Sequence, residues 1–166
     1  MNTVKRLSIP TLFGLAVISA GATAGGESKV AEQQVPQPVL EAFHKAYPQA
    51  QDIKYEKDSK AGKTVYEIEF QDKGLEREAT YSANGVLLET EEDIKPDALP
   101  AAVTQALKKA HPHATLEEAE KVMKPDGKVS GYEVEVKEGE KEWEVHLDTA
   151  GKILKTEAEE EEGETE

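Results

Sequence analysis

The chain has 166 residues, 34 Asp and Glu against 20 Lys and Arg, a formal net charge of −14 and no cysteine. A chain so acidic repels polyanions, which excludes nucleic acid and anionic membrane surfaces as partners. The absence of cysteine excludes disulfide staples, a thiolate nucleophile and a lipid anchor attached through cysteine, so the fold must be held by packing alone.

In chain order, residues 1–24 read as a secretory signal peptide. Lys5 and Arg6 form a charged start. Residues 7–20 are mostly apolar but short for a bilayer span and interrupted by Pro10 and Gly14, and Ala22-Thr23-Ala24 offers a small-x-small cleavage site. Cleavage after Ala24 implies a periplasmic or secreted protein with no membrane attachment afterwards. Residues 25–33 read as a linker.

From residue 34 the chain repeats itself. Val35-Pro36-x-x-Val39-x-x-Ala42-x-x-x-Ala46-Tyr47-Pro48-x-Ala50 returns 64 residues later as Leu99-Pro100-x-x-Val103-x-x-Ala106-x-x-x-Ala110-His111-Pro112-x-Ala114. Tyr66-Glu67-Ile68-Glu69-Phe70 returns 66 residues later as Tyr132-Glu133-Val134-Glu135-Val136. Gly85-Val86-Leu87-Leu88-Glu89-Thr90-Glu91 likewise returns as Gly151-Lys152-Ile153-Leu154-Lys155-Thr156-Glu157. The change of offset places two extra residues near Lys124-Pro125-Asp126-Gly127, in a turn, where insertions are best tolerated. Residues 34–94 and 95–158 are therefore two copies of one module.

Each copy opens with a helix, because Pro36 or Pro100 suits its first turn and Pro48 or Pro112 closes it. Val39, Leu40, Phe43, Ala46 and Tyr47, and in the second copy Val103, Ala106, Leu107 and Ala110, give each helix one apolar face. The period then changes to two. Tyr66, Ile68 and Phe70 alternate with glutamates, as do Tyr132, Val134 and Val136, while Trp143, Val145 and Leu147 alternate with Glu142, Glu144 and His146, the pattern of half-buried antiparallel strands. Glycines 74, 85, 139 and 151 supply hairpin turns. Less regular strands around residues 53–57 and 116–124 complete an α+β fold of two tandem repeats, each a helix packed on a four-stranded antiparallel sheet. One module of about 60 residues is marginal without disulfides, so the two sheets are expected to join or pack edge to edge. Residues 159–166 end a glutamate-rich stretch and read as a disordered, solubilising acidic tail with weak attraction for Ca²⁺.

The helix followed by Tyr132-Glu133-Val134-x-Val136 and then Trp143-Glu144-Val145-x-Leu147-Asp148-x-x-Gly151-x-Ile153-Leu154 resembles the PepSY and PepSY-like group over roughly residues 34–158. The PepSY-like branch is also called β-lactamase-inhibitor-like, since that inhibitor is itself two helix-plus-sheet repeats. The resemblance implies an exported module that binds or inhibits another protein through a sheet face. This chain departs from the inhibitor in lacking its disulfides.

Alternation places Glu67, Glu69, Glu76 and Glu78 on one sheet face in the first copy, and Glu133, Glu135, Glu142 and Glu144 on the same face in the second. These eight are either a solvated face that keeps the sheet soluble or a platform for a basic protein surface, whose binding would depend on salt. His111 and His113, two imidazoles at a helix end, are candidate metal ligands, with His44 or His146 able to join only if the fold brings them close. The same acidic face, His pair and tail would serve the alternative function, a cation-buffering or metal-responsive periplasmic protein binding divalent cations weakly. Trp143, Tyr66 and Tyr132 belong to the core face, and Arg77, the counterpart of Trp143, breaks that pattern and needs a partner. The chain has no G-x-S-x-G, no H-E-x-x-H and no phosphate-cradling glycine loop, so neither an enzyme nor a cofactor is expected.

Overall fold

A computed structural model describes residues 28–159. The expected signal peptide, and the expected tail beyond Glu159, lie outside the described residues. Nine strands run in chain order: β1 (Ser28–Val30), β2 (Gln51–Lys60), β3 (Lys63–Asp72), β4 (Leu75–Ser82), β5 (Leu87–Asp93), β6 (Thr115–Met123), β7 (Val129–Glu138), β8 (Lys141–Asp148) and β9 (Ile153–Glu159). Helix α1 (Gln37–Ala46) lies between β1 and β2, and α2 (Ala101–Ala110) between β5 and β6.

The strands form one antiparallel sheet in the order β1 to β9. The expected joining of the two sheets takes the form of one continuous sheet, in place of a four-stranded sheet for each repeat. The last strand of the first copy pairs directly with the first strand of the second, Thr90 to Asp93 running against Met123 to Glu120. A free β5 edge would expose unpaired N–H and C=O groups, and β6 covers it. Strand β1 is an addition, formed by Ser28–Val30 in the stretch read as a linker and paired with Tyr55 to Lys57.

Both helices sit on one face of the sheet, each over its own core. Pro36 and Pro100 cap the N-termini, their carbonyls accepting from Leu40 and Thr104 N–H at 3.2 and 3.0 Å. The C-caps Tyr47 and His111 precede Pro48 and Pro112, which disfavour helical backbone at the residue before them. Val39 and Phe43 of α1 are fully buried against Ile68, Phe70, Ala79 and Tyr81, and Phe43 meets Phe70 edge to face at 5.0 Å. Val103 and Leu107 of α2 are equally buried against Val134, Val136, Val145 and Leu147. The β4–β5 and β8–β9 turns lie against the helix starts. Gly85 and Gly151 both have φ +81°, and a Cβ at either would stand 2.4 Å from the carbonyl oxygen of Pro38 or Ala102.

Candidate binding face

Residues opposite one another in an antiparallel ladder share a face. Glu67, Glu69, Glu76 and Glu78 all lie on the face turned away from the helices, as do Glu133, Glu135, Glu142 and Glu144. The ladder extends this set with Glu56, Glu89, Glu91, Glu120 and His146, and with Lys54, Lys60, Lys137 and Lys155. These long side chains shade one another and the shorter Val65, Thr80 and Val122 among them, so that Glu67 is 7% and Glu91 8% exposed although neither helix covers this face.

Lysines pair with the glutamates of the first copy. Glu69 pairs with Lys54 at 2.7 Å and Glu67 with Lys60 at 2.8 Å, while Lys60 also reaches Glu89 at 3.4 Å. Gln71 donates to Glu76 at 3.5 Å. Burial pushes the Glu67 carboxyl up and Lys60 pulls it back. Glu78, opposite Glu69 on β3 and Glu91 on β5, is held well above the usual carboxylate range by burial and by Glu67 and Glu120.

In the second copy His146 joins Lys137 and Lys155 as a cation on this face. Its Nδ1 lies 2.9 Å from Glu133 and its Nε2 2.5 Å from Glu144. The two carboxylates raise the imidazole to about 10 against the opposing effect of burial. Glu144 is lowered by its contact with His146, whereas burial keeps Glu133 raised despite its own contact with the imidazole. Lys137 pairs with Glu142, and Glu135 stands opposite Glu144.

His111 and His113 go elsewhere. His111 caps α2 and stacks on Trp143 at 5.2 Å, on the helix side of the sheet, and His146 lies on the other side. Among the described residues, the groups whose ligand atoms converge are Glu133, Glu144 and His146, and Glu91, Glu120 and Glu133; neither contains His111 or His113. Sequence reasoning missed Glu91 and Glu120. The run Thr90-Glu91-Glu92-Asp93 is polar at every position, so no apolar period sets its phase, and an irregularity between Leu116 and Ala119 shifts the register of β6.

Arg77 has its partner on the core side. Its guanidinium lies 2.5 Å from Glu92 on β5, and Glu92 is held from the other side by Lys121 on β6 at 2.7 Å. This ionic chain spans the seam between the copies. At the equivalent place in the second copy Trp143 stands opposite Ala158, where β9 is the outer strand.

Two helix-on-sheet repeats fused through one sheet, with both helices on one side and a broad polar face on the other, define a tandem-repeat α+β protein that presents a sheet surface. The model of the family described as "Putative beta-lactamase-inhibitor-like, PepSY-like" matches residues 23–89 and, overlapping them, 65–155, and the chain belongs to this family. No curated protein matches it. Among solved structures it is similar to a BLIP-like protein from Bacteroides fragilis (25% identity, 79% of this chain and 92% of that one, TM-score 0.55). It is similar in fold to a "putative periplasmic" protein from Bacteroides eggerthii (19%, 75% and 88%, TM-score 0.60). A DUF2874-family protein from Bacteroides uniformis is alike to the same degree (19%, 74% and 88%, TM-score 0.59). Among the described residues no helix is long and apolar enough to cross a membrane.

Proposed function

We propose that this chain is an exported, non-enzymatic binding module that modulates or inhibits another protein by receiving a basic surface on its acidic sheet face. The observation that carries the reading is the same four glutamate positions in both copies, brought by one continuous sheet onto a single face that neither helix covers. Acidic side chains on adjacent strands repel one another, a cost that an arriving Arg or Lys would relieve, so charge complementarity would both speed association and set its register. The family description, the BLIP-like likeness and the sequence signal for export support a partner outside the cytoplasm.

The test is affinity capture from envelope and culture extracts with the chain from residue 25 onward. It runs beside a variant with Glu67, Glu69, Glu76, Glu78, Glu133, Glu135, Glu142 and Glu144 changed to Gln and shown by circular dichroism to be folded. A partner held by the wild type, lost by the variant and released by high salt supports the reading. A partner held equally by both, or held through high salt, refutes it.

A further inference from the structure

We propose that Glu91, Glu120 and Glu133 form a site for one divalent cation of the calcium class, at the seam where the two repeats share their sheet. The three carboxylates come from neighbouring strands, β5, β6 and β7, and their ligand oxygens lie within 4.8 Å of one another. Glu120 stands directly opposite Glu133, and Glu91, opposite Val122, reaches the pair diagonally across the β5–β6 junction, two residues along from Glu120 on the same face.

The unmet group is Glu91. It is 8% exposed, and its carboxylate makes no hydrogen bond or ion pair among the described residues. The charges that bear on it are three other carboxylates, Glu133, Glu78 and Glu120, and, more weakly, Lys60. Lys60 is already engaged by Glu67 and Glu89. A buried carboxylate facing carboxylates is costly unless a proton or a cation joins it.

The neighbouring cluster provides the contrast. Glu133 and Glu144 also converge, and there His146 supplies the positive charge within ion-pair distance of each. Glu133 belongs to both clusters and is met by His146, whereas Glu91 makes no ion pair among the described residues. The chemistry of the Glu91 cluster selects the ion. Its donors are oxygen only, which disfavours zinc and copper. Calcium accepts irregular sets of oxygen donors, whereas magnesium demands a near-ideal octahedron and gives up its water reluctantly, so three carboxylates fixed on separate strands suit calcium better. Three carboxylates supply up to six oxygens, within the range calcium accepts. An ion bound here would cross-link the last strand of one repeat to the first two of the next.

Melting of the chain from residue 25 onward tests this, in about 5 mM CaCl2, about 5 mM MgCl2 or EDTA at fixed ionic strength. That concentration lies above the roughly 10⁻⁴ to 10⁻³ M at which extracellular calcium sites bind. Calcium is expected to raise the melting temperature by about 5 °C over EDTA, and magnesium by less than half of that. Glu91→Gln, which keeps the shape and removes the charge, is expected to abolish the calcium shift. Glu142→Gln, on the same face but outside the cluster, is expected to keep it. No calcium shift in the wild type overturns the proposal. So does an equal shift in both variants, which would mean diffuse attraction to the acidic face or tail. The measurement contains no partner protein, so its failure would leave the proposed function untouched, and loss of a captured partner would leave the cation site untouched.

Discussion

Replacing Phe43 by Ala tests whether the continuous sheet makes the two repeats one cooperative unit. Phe43 has no solvent exposure, meets Phe70 edge to face at 5.0 Å and lies 5.7 Å from the Tyr47 ring, so truncation empties the centre of the first core. Burial of this kind is worth about 3 to 5 kcal/mol on Phe to Ala replacement. An unfolding entropy of about 2.1 cal/mol/K per residue, over roughly 130 ordered residues, converts that loss to about 11 to 18 °C in melting temperature. The chain has a single tryptophan, Trp143, which packs in the second core, so fluorescence reports on that repeat while far-ultraviolet circular dichroism reports on both. The seam ladder of Thr90 to Asp93 with Glu120 to Met123, strengthened by Arg77–Glu92–Lys121, should transmit the damage. Both signals are expected to melt together at the lowered temperature. Fluorescence that still melts at the wild-type temperature while circular dichroism shows an earlier transition would refute the reasoning and make each repeat an independent unit.

Gly85→Ala and Gly151→Ala should each destabilise by about 2 kcal/mol or more, because the new Cβ meets a carbonyl oxygen at 2.4 Å and φ is +81°; urea denaturation checks this, with Gly74→Ala, where no atom stands within 4 Å of the Cβ, as the milder comparison. Arg77→Met should cost about 1 to 2 kcal/mol, between exposed and fully buried pairs, since Lys121 still holds Glu92; an unchanged urea midpoint would show that the ionic chain adds nothing to the seam. Glu78→Gln should raise the melting temperature at pH 8. The folded carboxyl titrates well above its unfolded value, owing to burial and to Glu67, Glu120 and Glu69 against the weaker pull of Lys60. The native state therefore holds this proton more tightly, and wild-type stability falls as pH rises through the window between the unfolded and folded values. The advantage of Gln should shrink as pH is lowered toward 4.5, and a constant advantage across pH would count against the assignment.

The repeat made the helices legible, since prolines bound both ends and Val39 and Phe43, or Val103 and Leu107, recur at helical spacing. The eight glutamates were legible for a related reason. Tyr66, Ile68 and Phe70 fix the phase of β3, and whatever alternates with them must face the other way. Strand β1 was not legible, because three residues with one apolar member carry no period and their order depends on pairing with β2. Arg77 seemed misplaced on a core face because its partner, Glu92, lies on the next strand and its further support, Lys121, in the next repeat. The convergence of Glu91 with Glu120 and Glu133 depends on the seam, a pairing that no pattern within one repeat specifies.

The central claim, that the acidic sheet face receives the partner, is tested most directly by carboxylate labelling of the chain alone and in complex with a captured partner, read by mass spectrometry. Protection is expected at Glu69, Glu76, Glu135 and Glu142 on the open face, with no change at Glu41 on α1 or Asp97 ahead of α2, on the helix side. Protection of Glu41 and Asp97 with the sheet glutamates still labelled would place the partner on the helices and contradict the account.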